Sequence, residues 1–279
     1  MITLSDLGFS YSGKSKVFSG LSLAIPAGRS VGILGANGVG KTTLIKLLAG
    51  LVSPTQGSLT VLGFNPRQRQ ASFYQDLFLV PEESELPPIT GNQYLAKFSV
   101  FYPNFNQEQF RNLVRQFDVD STKRLTKMSL GQKKKFLLAF AMASGCRLIL
   151  MDEPTNGLDI PAKTQFRDMV VKHQSDEQTF LICTHQVRDL DSIIDSVVMM
   201  NEQHAHWFDL GALPDVISQV INPAEDQAVL YTELRMGSHV AIVEGGRPQA
   251  TDIDLELLFS SFHNNYQGLI KAITKESVQ

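Results

Sequence analysis

At 279 residues, with 43% hydrophobic and 19% charged side chains, the chain is long enough to bury one large core or two modest ones, and its composition is that of an ordinary globular protein. A formal net charge of −3 gives no electrostatic footprint for nucleic acid. No apolar run approaches the roughly 20 residues of a spanning helix and the first residues lack a signal-peptide pattern, so an integral membrane protein is not expected.

Residues 1–28 read as short strands and turns: Ile2 to Leu4, Leu7 to Tyr11, and Leu21 to Ile25 ahead of Pro26-Ala27-Gly28. Arg29 to Leu34 form a short buried strand. The stretch Gly35-Ala36-Asn37-Gly38-Val39-Gly40-Lys41-Thr42-Thr43 follows and fits G-x-x-x-x-G-K-[ST] at every constrained position. Lys41 to Ala49 place Leu44, Ile45, Leu47 and Leu48 on one helical face, and Gly50 is a natural stop. Strand, glycine loop and helix start make an anion nest. Glycines let the backbone wrap a phosphate, successive N–H groups point inward, and the helix N-terminus adds partial positive charge. Lys41 would reach the β- and γ-phosphates, and the Thr42 hydroxyl would be a ligand to Mg²⁺.

Gly57 to Leu62 alternate like a half-exposed strand, which with the N-terminal pieces predicts an antiparallel β-layer. Leu77 to Val80 are another apolar run, closed by Pro81 and followed by Glu82-Glu83. From Ile89 to Phe117, helical spacing recurs at Tyr94, Phe98 and Phe101, then at Phe110, Leu113, Val114 and Phe117, which reads mainly as helical core. Lys133 to Ser144 read as a helix with Phe136, Ala139, Phe140 and Ala143 in register.

Leu148 to Glu153 are a buried strand ending in two carboxylates, and Asn156 to Asp159 make a turn. Pro161 lies in the first turn of a helix whose Phe166, Met169 and Val170 share a face. Thr179 to Cys183 form a buried strand ending at Thr184-His185, Val187, Leu190 and Ile194 mark a helix, and Val197 to Met200 read as the last core strand. Strands alternating with helices predict an α/β fold with a largely parallel sheet, in which ligands sit at the C-terminal strand ends. The glycine loop, Asp152-Glu153 and His185 all follow apolar strands, so one cleft can hold them. Asp152 then holds Mg²⁺, directly or through the metal's own ligands, and Glu153 serves as general base toward water. Cys146 and Cys183 sit in or beside apolar runs and read as buried thiols. Beyond about residue 215 the pattern weakens. Ala228 to Tyr231 and His239 to Val243 could pair around Met236-Gly237, Leu255 to Phe262 look helical, and no catalytic constellation is visible.

Over about residues 1–210 the chain resembles the ATP-binding-cassette (ABC) ATPase family. Gly35 to Thr42 resemble Walker A, and Leu148 to Glu153 resemble Walker B with the catalytic glutamate. Gly157-Leu158-Asp159 resemble the D-loop, His185 the switch histidine that contacts the γ-phosphate, and Tyr11 the aromatic that stacks on adenine. Met128-Ser129-Leu130-Gly131-Gln132 resemble the signature L-S-G-G-Q, with Leu130 in place of its first glycine and Met128 in place of its leucine. The Q-loop position falls on Glu82, with Glu83 its alternative. A carboxylate there can bind Mg²⁺, but its charge adds repulsion toward phosphate.

The resemblance implies a P-loop NTPase core with an antiparallel β-layer and a helical subdomain (about 86–145) within a nucleotide-binding domain of residues 1–215, then a small accessory extension, 216–279. It implies ATP and Mg²⁺ as ligands. It also implies a second cassette facing the first head to tail, identical or homologous, whose ATP would touch Ser129, Gly131 and Gln132 of this chain, with Asp159 at the same junction. One cassette and no spanning helix imply integral-membrane permease subunits as separate partners and a place on the cytoplasmic face of the membrane. The extension leans toward export. The competing reading is a cassette ATPase acting on ribosomes or DNA, which usually carries two cassettes or a long insertion.

Overall fold

The computed structural model describes residues 1–12, 16–173, 176–190, 192–202, 204–246 and 253–274. The first two strands are longer than the sequence pattern suggests: β1 (Ile2–Ser10) and β2 (Lys16–Ile25) pair antiparallel. Next come β3 (Ser30–Gly35), α1 (Lys41–Leu48) and β4 (Gln56–Val61), and β4 pairs antiparallel with the other edge of β1. This gives the expected antiparallel layer, of strand order β2-β1-β4. The five-residue α2 (Ala71–Gln75) leads into β5 (Leu77–Val80).

A helical excursion follows, made of α3 (Gly91–Phe98), α4 (Gln107–Gln116) and α5 (Leu130–Ala143). Helix α5 starts three residues before the Lys133 boundary read from spacing. The reason is local: the Ser129 side chain accepts from Gln132 N while the Gln132 side chain accepts from Ser129 N, a reciprocal capping box. Most aromatic residues of this region form core, whereas Phe101 is exposed. Phe140 is fully buried and has Phe105 at 4.8 Å, Tyr94 at 5.2 Å, Phe78 at 5.6 Å and Phe110 at 5.8 Å between ring centroids.

The chain then lays down β6 (Leu148–Asp152), α6 (Ile160–His173), β7 (Thr179–Cys183), β8 (Ser196–Met200) and β9 (Ala205–Asp209). With β3 and β5 they make a six-stranded sheet of order β5-β6-β7-β3-β8-β9, parallel throughout except for β9. Strands β6, β7 and β8 are buried along their whole length, which is why they read as continuous apolar runs. Two expectations are corrected here. β8 is not the last strand of the sheet: β9 closes the edge, and its Ala-His-Trp-Phe-Asp sequence is too mixed to announce itself. The helix read over Val187 to Ile194 is a 3-10 turn, Val187–Asp189, held by the short-range bonds Asp189 N to Gln186 O and Leu190 N to Val187 O.

Alternation along the strands divides the core in two. Val31, Ile33, Leu148, Leu150, Leu181 and Val198 face α1 and the antiparallel layer. Ile149, Met151, Phe180, Ile182, Val197 and Met199 face α5, α6 and the C-terminal region. That region contains β10 (Ile217–Ile221), β11 (Val229–Arg235), β12 (Ser238–Glu244), α7 (Leu255–Asn264) and α8 (Tyr266–Thr274). The expected hairpin is β11–β12, turning at Met236 (φ 48°) and Gly237 (φ 82°), while β10 and α8 were not legible in the sequence. Cys146 and Cys183 are buried free thiols, and burial pushes Cys146 up to about 12. Among the described residues no helix is long and apolar enough to cross a membrane.

The aromatic cluster sets a stability test. Phe140→Ala should cost about 3–5 kcal/mol, the range for emptying a fully buried aromatic site. Urea denaturation followed by circular dichroism checks this, and a loss below about 1 kcal/mol would mean that neighbouring rings collapse into the space.

Candidate functional site

The C-terminal ends of β3, β6 and β7 converge on a cleft of about 300 Å³ lined by Asn37, Gly38, Gly40, Lys41, Thr42, Thr43, Glu82, Asp152, Glu153, Cys183 and His185. Register brings them together: Ile33 and Asp152 both lie opposite Cys183, one on each side of β7. A larger hollow of about 890 Å³ lies at the other ends of the same strands, beside Ala27, Asp76, Arg147 and Gln178. Its arginine is already tied to Asp76 at 2.7 Å.

The glycine loop depends on conformations that other residues resist. Gly40, the residue before α1, has φ 107°, and a Cβ there would lie 2.8 Å from the Phe18 ring and from Val17. The loop can therefore pass close over β2 and deliver α1 with its first N–H groups unpaired within the helix and directed at the cleft. Lys41 folds back over the loop, its Nζ donating to Gly35 O at 2.7 Å and Ala36 O at 3.2 Å, and only 8% of the residue is exposed. Ala36, Asn37 and Gly38 are exposed and Val39 is buried beneath them. Thr42 is exposed, whereas Thr43 is buried and its Oγ1 meets the Tyr11 hydroxyl at 3.2 Å. Tyr11 stands edge-on to Phe9 at 4.9 Å, so this ring sits beside the start of α1, next to the cleft.

The two carboxylates after β6 have different surroundings. Asp152 is 4% exposed and its Oδ1 is buried with no hydrogen-bond partner. A buried orphaned carboxylate oxygen is costly unless a cation or donor meets it. Glu153 is fully engaged: its Oε1 accepts from His185 N at 2.9 Å and His185 Nδ1 at 2.8 Å, and its Oε2 accepts from Thr184 Oγ1 at 2.9 Å. Its backbone is left-handed, φ 46°, a conformation that costs a non-glycine residue about 1–2 kcal/mol, and it is held by Glu153 N donating to Cys183 O at 2.8 Å. Among the described residues no group of three or more His, Cys, Asp or Glu converges as a metal cage. A cation here would take ligands from the substrate and water as well as from Thr42 and Asp152, the habit of Mg²⁺.

Glu82, not Glu83, is the one that lines the cleft, and Asn156 Nδ2 approaches its Oε1 at 3.5 Å. Ser129, Gly131, Gln132 and Asp159 are not brought into the cleft. Ser129 and Gln132 cap α5, and Gly131 presses on the turn after β6, where a Cβ would lie 2.8 Å from Gly157 O. Asp159 caps α6 through Ala162 N at 3.1 Å and faces Lys135 at 3.6 Å. Two contributors escaped the sequence reading. Thr184 is a polar residue directly after a buried strand. Lys134 is 2% exposed and its Nζ donates to Pro81 O and Glu82 O, both at 2.8 Å. The signal for Lys134 was its place three, four and seven residues before Leu137, Leu138 and Ala141 on a buried stripe.

Comparisons with known proteins place the chain in a family. The profile of the ABC transporter family matches residues 18–156. The ABC transporter ATP-binding protein NatA of Bacillus subtilis is 32% identical over 212 residues, which is 72% of this chain and 86% of NatA. A solved ATP-binding subunit of an ABC transporter superposes with a TM-score of 0.69 at 22% identity, covering 76% of this chain and 91% of that one. A dimeric ATP-binding cassette in a post-hydrolysis state bound to ADP and Pi superposes with a TM-score of 0.65 at 18% identity, covering 75% and 99%. With so much of NatA matched at that identity, the chain belongs to the ABC transporter family, as an ATP-binding cassette of a family that hydrolyses ATP.

Proposed function

We propose that this chain is the energy-coupling ATPase subunit of a membrane transporter, acting on separate permease subunits from the cytoplasmic face of the membrane. Residues 1–215 would be the nucleotide-binding unit and 216–279 an accessory extension. The observation that carries the reading is the meeting of Lys41, Asp152, Glu153 and His185 in one cleft at the parallel strand ends. The transporter names of the relatives support it over action on ribosomes or DNA. Export is the direction toward which the extension leans, because Asp254-Leu255-Glu256 before Leu258-Phe259 looks like the extension of small bacterial exporter cassettes.

In this reading the triphosphate lies along the loop from Gly35 to Thr43, with backbone N–H groups of the loop and of α1 as donors. Lys41 exchanges its two carbonyl partners for β- and γ-phosphate oxygens, a change to stronger, charge-assisted hydrogen bonds. Tyr11 offers its ring to adenine while its hydroxyl stays on Thr43. Thr42 and Asp152 would hold Mg²⁺, which when bound would neutralise phosphate charge, with Glu82 at the rim of the cleft. An ionised carboxylate has about four acceptor positions. On Glu153 both positions of Oε1 are taken by His185 and one of Oε2 by Thr184. The remaining position on Oε2 is where Glu153 receives the attacking water and its proton. His185 is oriented by the same carboxylate, so base and phosphate sensor move as one unit.

Ser129, Gly131 and Gln132 lie outside this cleft, and Leu130 between them is 54% exposed. An exposed cap at the start of α5 suits contact with ATP held by a second cassette in a two-fold, isologous arrangement, an identical chain or a homologous one. The dimeric assembly of the structural neighbour supports this.

Lys41→Ala should lower turnover about 10²–10³-fold by removing a positioned cation from the transition state. It should leave the circular dichroism spectrum intact, because the loop is fixed mainly by its glycines and by α1. A fluorescence titration with a labelled ATP checks the loss of affinity, and unchanged affinity would refute the phosphate-loop assignment.

Glu153→Gln should reduce hydrolysis about 10²–10⁴-fold, the usual share of general-base catalysis. Binding should persist, because the amide is isosteric and removes a negative charge near the γ-phosphate. The protein should then collect as an ATP-bound dimer in size-exclusion chromatography with light scattering, with its permease or second cassette supplied. Full turnover in this variant would place the base elsewhere.

A further inference from the structure

The cleft has an electrostatic imbalance. Glu82, Asp152 and Glu153 line it, and Lys41 is the one permanently cationic side chain among the lining residues. A nucleoside triphosphate adds further negative charge. An amide at the Glu82 position would add none. Something must offset the extra carboxylate, and the described residues hold one candidate directly behind the cleft wall.

That candidate is Lys134. It stands on the buried stripe of α5 and is 2% exposed. A buried ammonium is costly unless its protons are taken and opposite charge lies near. Its Nζ donates to the carbonyls of Pro81 and Glu82, both at 2.8 Å. Burial pushes its pKa down, while Glu82, Asp152 and Glu153 favour its charged form. Its hydrogen bonds fix the backbone of the residue whose carboxylate reaches the cleft. On the other side, Asn156 Nδ2 approaches that carboxylate at 3.5 Å.

We propose that Lys134 and Glu82 form a compensating pair. Lys134 is a positioning residue that holds the turn after β5 by two carbonyls and supplies the buried positive charge that allows a carboxylate, in place of an amide, to border the MgATP site. The inference rests on the nucleotide-cleft reading above. It adds that the acidic residue at the rim and the lysine beneath it are mutually dependent.

A double-substitution cycle on the full-length chain tests this, with the Kd for a fluorescent ATP analogue in the presence of Mg²⁺ as readout and the melting midpoint recorded for each variant. Lys134→Gln keeps an amide donor for the turn and removes the charge. It should weaken nucleotide binding about tenfold, within the range of coupling between neighbouring charges. Glu82→Gln combined with Lys134→Gln should recover to within about threefold of the parent, because the charge that needed offsetting is gone. A purely structural lysine would lower the melting midpoint in both variants and give no recovery of Kd. Unchanged Kd in Lys134→Gln, or a double variant as weak as that single one, overturns the pair. If Lys134→Gln alone does not fold, a folded double variant supports the pair and an unfolded one overturns it. Lys41→Ala runs in the same titration. If the parent binds no analogue, or Lys41→Ala binds as the parent does, the cleft reading fails and carries this proposal with it. With those controls normal, a negative cycle removes the pair alone.

Discussion

The parallel register of β6, β7 and β3 is the constraint from which the site follows. Cys183 at the end of β7 lies opposite Asp152 on one side and Ile33 on the other. Three chains therefore leave the sheet at one level, and the residues that come next, Glu153, Thr184 and the glycine loop, have no choice but to meet. A slip of one residue in any strand would also reverse which side chains face which core, because the strands are buried on both faces. The apolar alternation that stabilises the sheet thus also fixes the position of its chemistry.

Glu153 joins the turns that leave those strands. Its backbone N–H reaches across to β7 and its carboxylate gathers the next two residues of that chain. This network is what maintains a left-handed backbone at a residue that is not glycine. Farther along, Lys163 on α6 donates to Gln186 at 2.7 Å and to Asp189 at 2.8 Å, so the helix behind the Asp159 turn is fastened to the turn behind His185. Gly131 against Gly157 and Lys135 facing Asp159 connect the same turn to the start of α5. The start of α5 is thus linked to the turns around Glu153 through a close backbone approach and part-buried polar bonds.

Much of this was legible in the sequence for a plain reason. Parallel strands buried on both faces write themselves as apolar runs, and the polar residues proposed for the chemistry follow those runs at their ends, as Asp152 and His185 do. The glycine loop was legible because Gly40 and its neighbours have conformational requirements that few residues meet. What escaped was set by tertiary context. β9 is an edge strand of mixed polarity, and β10 gains its register only by pairing with β12, which lies later in the chain. The 3-10 turn after His185 has the apolar spacing of a helix, yet Asp189 within it is held by Lys163 from another helix. Lys134 is one of three consecutive lysines, and its helical phase with Leu137, Leu138 and Ala141 is the signal that sets the buried one apart.

The C-terminal region illustrates which forces decide placement. Its closest ionic link to the turn after His185 is Arg188 to Glu256 at 3.6 Å, with the side chains 86% and 46% exposed. A pair so wet and so loosely spaced contributes little. The apolar contacts are of another order. Phe208 of β9 meets Phe262 of α7 edge-on at 6.0 Å, His204 stacks on Tyr266 at 4.0 Å, and Leu255, Leu257, Leu258 and Phe262 join the same buried cluster as Leu190 and Ile193. Within the extension, Arg235 binds both Glu233 and Asp254, and Asp254 caps α7 through Leu257 N at 2.8 Å, so hairpin and helix hold as one piece. The extension is therefore seated by hydrophobic burial on the face of the sheet that also supports α5 and α6. It shares that cluster with Leu190 and Ile193, a few residues beyond the histidine that Glu153 orients. The exposed ion pair beside that cluster adds little to the burial that sets the placement.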